Sequence, residues 1–139
     1  MPPAAPPAIP PTFPPLFVLY VRDQPASARF YTQALDVAPV LDVPGMTQLP
    51  LPGGALLGLM PEAGIRRLLG GSIDPAAGSG IARAELYLVV ADPAACHARA
   101  LAAGARELSP LARRDWGDDA AYCQDPDGHV LAFARIGAA

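Results

Sequence analysis

Long apolar runs, paired-cysteine motifs and basic tracts are all missing from this chain of 139 residues. No stretch approaches the about 20 apolar residues that span a bilayer. The N-terminus has neither a positive segment nor the apolar core of an export signal. No membrane partner is therefore expected, and the cytoplasm is the expected compartment. Basic residues never cluster among aromatics, and the net charge of -3 gives no electrostatic grip on nucleic acid or anionic lipid. Cys96 and Cys123 are the only cysteines, and they form neither C-x-x-C nor a zinc spacing. A disulfide between them stays open at this level, with two reduced, buried thiols the expected state. No serine sits in a nucleophile elbow, and no Gly-rich loop cradles phosphate, since Gly53-Gly54 serves a hairpin.

What is present is an apolar, foldable chain. Apolar residues make up 52% and charged residues 17%, enough for one real core but short for two independent domains. Residues 1–15 carry Pro pairs at 2–3, 6–7, 10–11 and 14–15, the pattern of a disordered or polyproline II tail. Residues 16–139 are then read as a single domain. Leu16–Val21 is a continuous apolar run rich in strand formers. Gln24–Leu35 has helical spacing, with Ala28, Tyr31 and Leu35 on one side, Asp23 as N-cap and Pro25 in the first turn. Short strands are expected near 38–43, 46–51 and 55–60. Residues 61–83 read as a linker with one helical turn.

The first pattern then returns. Glu85–Asp92 reads as a strand ending in Asp. Pro93–Ala103 is an Ala-rich helix capped by Asp92 and closed by Gly104. Strands follow near 106–110, 119–124 and 129–135. Laying Val21-Arg22-Asp23 over Val90-Ala91-Asp92 superposes Leu16 on Glu85, and the turns ending in Gly54 and Gly128 fall in step. The chain is two copies of strand–helix–strand–strand–strand, modules of about 16–60 and 84–135. The fold class is α+β, a pair of βαβββ modules.

The turn Asp125-Pro126-Asp127-Gly128 is the sharpest local signal. Pro126 presets the first corner and Gly128 supplies a positive φ. Together with Ser27-x-x-Phe30-Tyr31, Val90-x-Asp92 and Trp116-Gly117, it makes residues 16–135 resemble the vicinal oxygen chelate superfamily. That group includes glyoxalases, extradiol dioxygenases and bleomycin-resistance proteins. Trp116-Gly117 ahead of the turn looks most like the metal-free, bleomycin-resistance branch. The resemblance implies that the two modules form a curved, cup-shaped mixed sheet with helices on the outer face, in homodimers whose ligand cavities are built from both chains. It also implies, for metal-using members, four inward ligands at positions that fall here on Leu16, Gly58, Glu85 and Ala132. Three of these cannot bind a metal, and residues 55–60 contain no ligand type at all. No metal and no cofactor are expected.

Strand alternation puts Leu16, Val18 and Tyr20 inward, with Glu85, Tyr87, Val89, Val130, Ala132 and Ala134. Glu85 is then the one ionisable residue expected on the cup floor. It reads as an anchor or a general base with a pKa raised by burial, or else as a hydrated or Arg-paired carboxylate at the rim. Tyr20, Tyr87, Met60, Trp116 and Tyr122 are the candidate lining, against the alternative of ordinary core packing. Trp116 is placed as a lip over the ligand, and the face of Tyr122 is undetermined. Arg113 and Arg114 read as a solvated surface pair. His97 is expected on the outer helix and His129 as a solvated turn residue, neither as a metal ligand.

The leading expectation is metal-independent binding of a small apolar or aromatic molecule, as in antibiotic sequestration. A drug-like cation is the case in which Glu85 serves as anchor. The alternatives are a metal-dependent lyase, isomerase or dioxygenase with a shifted ligand set, and a non-catalytic structural or regulatory dimer.

Overall fold

A computed structural model of the chain describes residues 14–78 and 80–137. The Pro-rich tail expected for residues 1–15 lies, up to position 13, outside the described residues. Pro15 already belongs to the sheet, because its carbonyl accepts from Leu56 N at 2.8 Å.

Strand β1 (Leu16–Val21) leads into helix α1 (Gln24–Leu35). The Asp23 carboxylate accepts from Ala26 N at 3.0 Å, satisfying one of the free amides of the first turn. Helical spacing turns Ala28, Phe30, Tyr31 and Ala34 to the sheet, where all are buried. Strands β2 (Leu41–Val43), β3 (Met46–Pro50) and β4 (Leu56–Pro61) complete a sheet of order β1-β4-β3-β2, with β1 parallel to β4. The plan then repeats. Strand β5 (Glu85–Val89) precedes a helix at Pro93–Ala102, capped by Asp92 on Ala95 N at 3.1 Å. Strands β6 (Arg106–Arg113), β7 (Asp119–Gln124) and β8 (Val130–Arg135) give the order β5-β8-β7-β6. These are the two expected βαβββ modules, with helices on the outer face.

One face of each sheet carries the core. Val21, Leu49, Leu57 and Leu59 in the first module, and Leu88, Cys123, Leu131 and Phe133 in the second, are buried against the helices. Each fully buried Leu or Phe stabilises the fold by roughly 1.5–3 kcal/mol. Small residues such as Ala28, Ala34 and Ala100 let α1 approach the helix of the second module, and the two pack on each other. Both cysteines are free thiols, Cys123 buried and Cys96 half-buried.

Three expectations need correction. The linker holds a two-turn helix, α2 (Glu62–Leu69), and a 3-10 turn at Pro75–Ala77. Gly64 and Gly70-Gly71 mask its propensity, but Glu62 in the first turn and Arg66 and Arg67 in the last complement the helix dipole. Ile65 anchors it, buried to 2% exposure. With α2 defined, Pro93–Ala102 is α3. Strand β2 is shorter than 38–43 because Pro39 has no amide to donate. Strand β6 runs three residues past 110, carrying Pro110 within it. It is an edge strand whose register slips between Glu107 and Ser109 and between Ser109 and Ala112, where a missing N–H is tolerated.

The modules meet at the Asp125–Gly128 turn. Gly128 takes a φ of 94°, which only glycine adopts without strain. The Asp125 carboxylate, 5% exposed, accepts from Asp127 N at 2.9 Å, His129 N at 2.8 Å and the Tyr31 hydroxyl of α1 at 2.5 Å. Arg22, just past β1, donates to Asp127 and to the Pro126 carbonyl. The end of β1 therefore docks at the start of β8, which is level with the start of β5. Strands β1 and β5 face each other as the inner edges of the two sheets and run in opposite directions.

Candidate functional site

The register confirms which residues share the face away from the helices. Leu16, Val18 and Tyr20 stand opposite Leu56, Gly58 and Met60, while Glu85, Tyr87 and Val89 stand opposite Val130, Ala132 and Ala134. This concave face differs between the modules. In the first it is apolar but for Gln48 opposite Gly58, where an added Cβ would meet Leu16 Cδ1 and Met46 Sδ at 3.2 Å and Val18 Cγ2 at 3.3 Å. Ala132 is fully buried. Leu16, Gly58 and Ala132 offer no donor, and among the described residues no three His, Cys, Asp or Glu side chains gather as a metal site. The residues present do not fit a divalent ion.

The second module has a polar, aromatic floor. The turn Arg114–Gly117 closes β6 onto β7, with Gly117 at φ 99° and its amide on Arg114 O at 2.9 Å. This holds Trp116 out at 58% exposure, and its indole N–H donates to the Tyr87 hydroxyl at 3.0 Å. Tyr87 in turn donates to Asp118 Oδ2 at 2.7 Å, and Gly137 N donates to Asp118 Oδ1 at 3.2 Å. Tyr122 shares the face, opposite Ala132, with the Arg114 guanidinium 5.2 Å from its ring centroid. Burial pushes the Tyr122 hydroxyl above its ordinary pKa, with the charges of Glu85 and Asp118 adding to the rise.

Of the six candidate lining residues, Glu85, Tyr87, Trp116 and Tyr122 lie on this second module. Tyr20 and Met60 are register partners at the far end of β1, on the first. There α2 and the 3-10 turn lie across the concave face, enclosing a cleft of about 430 Å³ lined by Tyr20, Arg22, Glu62, Asp127 and His129. A second cavity, of about 510 Å³, runs between the edges of β1 and β5 and is mostly apolar. Glu85, Tyr87 and His129 reach into it beside Val18, Leu51 and Leu86.

Four single-residue expectations change. Glu85 is exposed, which removes the buried base of its two readings and leaves the hydrated carboxylate at the rim. Nor is it the one ionisable group on the floor, because Asp118 hydrogen-bonds Tyr87 there. Arg113 and Arg114 are not a solvated pair: Arg113 binds Asp119 at 2.7 Å, whereas Arg114 turns in to Ser109 Oγ and the Pro110 and Ala120 carbonyls. His97 is on α3 as expected but faces inward, 6% exposed and 2.9 Å from Glu107 Oε2. His129 is half-buried, its Nε2–H donating to the Tyr20 carbonyl at 3.0 Å, a clasp between the modules. Asp118 and Arg114 were missed. Neighbouring residues entering a strand diverge to opposite faces, so the pair Asp118-Asp119 carried a signal that one of them turns inward.

Two βαβββ modules with helices outside and a concave inner face define a class that includes metal chelators and metal-free binders. The chain belongs to the Glyoxalase/Bleomycin resistance protein/Dioxygenase superfamily, whose sequence model matches residues 14–133. Among solved structures it is similar to a glyoxalase-related enzyme from Fulvimarina pelagi, at 27% identity and a TM-score of 0.75, over 89% of this chain and 88% of that one. It is also similar to a protein from Agrobacterium tumefaciens, at 28% identity and a TM-score of 0.67, over 91% and 99%. A family enzyme from Burkholderia phytofirmans shares the fold at 17% identity and a TM-score of 0.75, over 87% and 96%. No curated protein matches the chain.

Proposed function

We propose that the chain binds a small, flat, largely apolar molecule on the concave face of its sheet without a metal. The observation that carries this reading is the floor of the second module. Tyr87, Trp116 and Tyr122 offer aromatic surface beside Glu85, while Leu16, Gly58 and Ala132 stand where metal-using relatives need donors. Flat ligands gain from such walls through buried area and stacking, and a cation gains further over aromatic faces. Sequestration of a drug-like molecule in the cytoplasm is the biological role this supports. A homodimer is the proposed assembly, because Leu16, Val89 and Trp116 are exposed at 39%, 46% and 58% along the concave side.

A thermal-shift screen with cationic glycopeptides and flat aromatics tests the reading, since a ligand selective for the folded state must raise the midpoint. A shift that grows with ligand concentration is expected, together with less than one equivalent of Fe, Mn, Ni or Zn in purified protein. A full equivalent of metal, or no shift across the screen, would overturn it. Glu85→Gln is expected to weaken a cationic ligand only a few-fold, because an exposed carboxylate acts through well-screened solvent.

A further inference from the structure

We infer that Asp118, rather than Glu85, reads charge on the open concave face, and that its ligand presents a cationic hydrogen-bond donor on a flat body. This rests on the binding reading above. The contrast with the next residue carries it. Asp119 is neutralised twice, by Arg113 at 2.7 Å and Arg135 at 3.0 Å, and these guanidinium groups hold its carboxyl below the usual range. Asp118 has only neutral donors, the Tyr87 hydroxyl and the Gly137 amide, and no ion pair among the described residues. Arg114 makes no ion pair with it, its hydrogen bonds going to Ser109, Pro110 and Ala120 and its guanidinium lying on the face of Tyr122.

The hydrogen-bond directions are fixed by chemistry. An indole N–H only donates and an ionised carboxylate only accepts, so the Tyr87 hydroxyl must accept from Trp116 and donate to Asp118. Each Asp118 oxygen then receives one bond and keeps a further lone-pair site. A bound cation fills that site with a charge-assisted hydrogen bond, roughly twice as strong as a neutral one. The same cation lies beside Tyr87 and Trp116, whose faces attract positive charge, while Arg114 already stands over Tyr122. The carboxylate is also wired to the lip: a ligand that pulls on Asp118 or Tyr87 changes the partner of the Trp116 indole.

Trp116 is the only tryptophan, so its fluorescence reports on this site alone. The probes are 9-aminoacridine, a cation with hydrogen-bond donors at neutral pH, and acridone, a neutral body of the same three rings. The expected result is quenching by both, with 9-aminoacridine binding about tenfold tighter. Asp118→Asn should bring it down to the acridone level while leaving acridone unchanged, and Asp119→Asn should alter neither. Tyr87→Phe keeps the charge but frees the carboxylate, and should lose part of the preference; melting curves of the variants report whether each is folded. Equal binding of the two probes, or a preference that survives Asp118→Asn, overturns the assignment and leaves the binding reading standing. Quenching by neither probe overturns both.

Discussion

The hairpins of the two modules share one backbone and differ in the residue that opens it. In the first, Leu51 N bonds Ala55 O at 2.8 Å and Gly54 N bonds Leu51 O at 3.3 Å. In the second, Asp125 N bonds His129 O at 2.9 Å and Gly128 N bonds Asp125 O at 3.0 Å. Both opening residues are buried, at 6% and 5% exposure. Leu51 packs into the apolar core, whereas Asp125 gathers three donors and ties its turn to Tyr31 of the opposite module. One repeat unit is thus used once as core and once as a polar joint. The same division shows on the concave faces, where the first module is apolar and lies under α2 and the second is open, aromatic and acidic.

Swapping the two opening residues is the severest way to break that comparison. Leu51→Asp places a carboxylate among apolar groups with no donor prepared for it, and should cost about 4 kcal/mol. Asp125→Leu leaves the buried Tyr31 hydroxyl without its acceptor and strips the Asp127 and His129 amides, for about 3 kcal/mol. Denaturant melts give both numbers. If Asp125→Leu unfolds like the parent, the Asp125 carboxylate contributes nothing and the modules are held by the α1–α3 contact and the Arg22 and His129 bonds.

Next in size is an alkaline loss of stability from Cys123, which is fully buried on β7. Burial first, and then the charge of Asp125, raises its thiol from 9.0 to about 11. The unfolded chain gives up this proton near pH 9 while the folded chain keeps it. Stability is therefore intact below pH 9 and falls as pH rises toward 11, by on the order of 2 kcal/mol. Tyr31, raised for the same two reasons, extends the fall above pH 10. Melting Cys123→Ala beside the parent across this range isolates the cysteine share, and parallel curves would remove it.

Much of the fold was legible because the repeat is written in local chemistry. Val21-Arg22-Asp23 and Val90-Ala91-Asp92 each end a strand and cap a helix, and the glycines at 54 and 128 close equivalent turns. The family resemblance located Leu16, Gly58, Glu85 and Ala132, and period-two alternation agreed for Leu16, Glu85 and Ala132. The illegible parts depended on long-range partners. Helix α2 was hidden because its glycines depress propensity, while its anchor, Ile65, matters only once the sheet is there to bury it. Glu85 looked like the floor's one charge because nothing local distinguishes Asp118 from Asp119. Only the meeting of the β6–β7 turn with Tyr87, 31 residues before Asp118, separates them. For the same reason nothing local separates Tyr20 and Met60 from Tyr87, although β1 and β4 carry the first two on one sheet and β5 carries Tyr87 on the other.

The smallest effect tests whether the two halves are as alike in energy as in pattern. Asp23 and Asp92 cap their helices with matching bonds of 3.0 and 3.1 Å, each to the amide three residues on. Removing either with Ala should cost about 1 kcal/mol. Helices α1 and α3 also pack on each other, so fraying one loosens a surface the other needs. Distant, independent sites add to within about 0.5 kcal/mol. If the caps act only on their own first turns, the double variant should lose close to 2 kcal/mol by the sum of these cap costs. A total that departs from this by more than the additivity margin would mean that the α1–α3 contact couples the modules as well as the Asp125 joint does. The symmetric part of the molecule, and not only its asymmetric turn, would then hold the cup together.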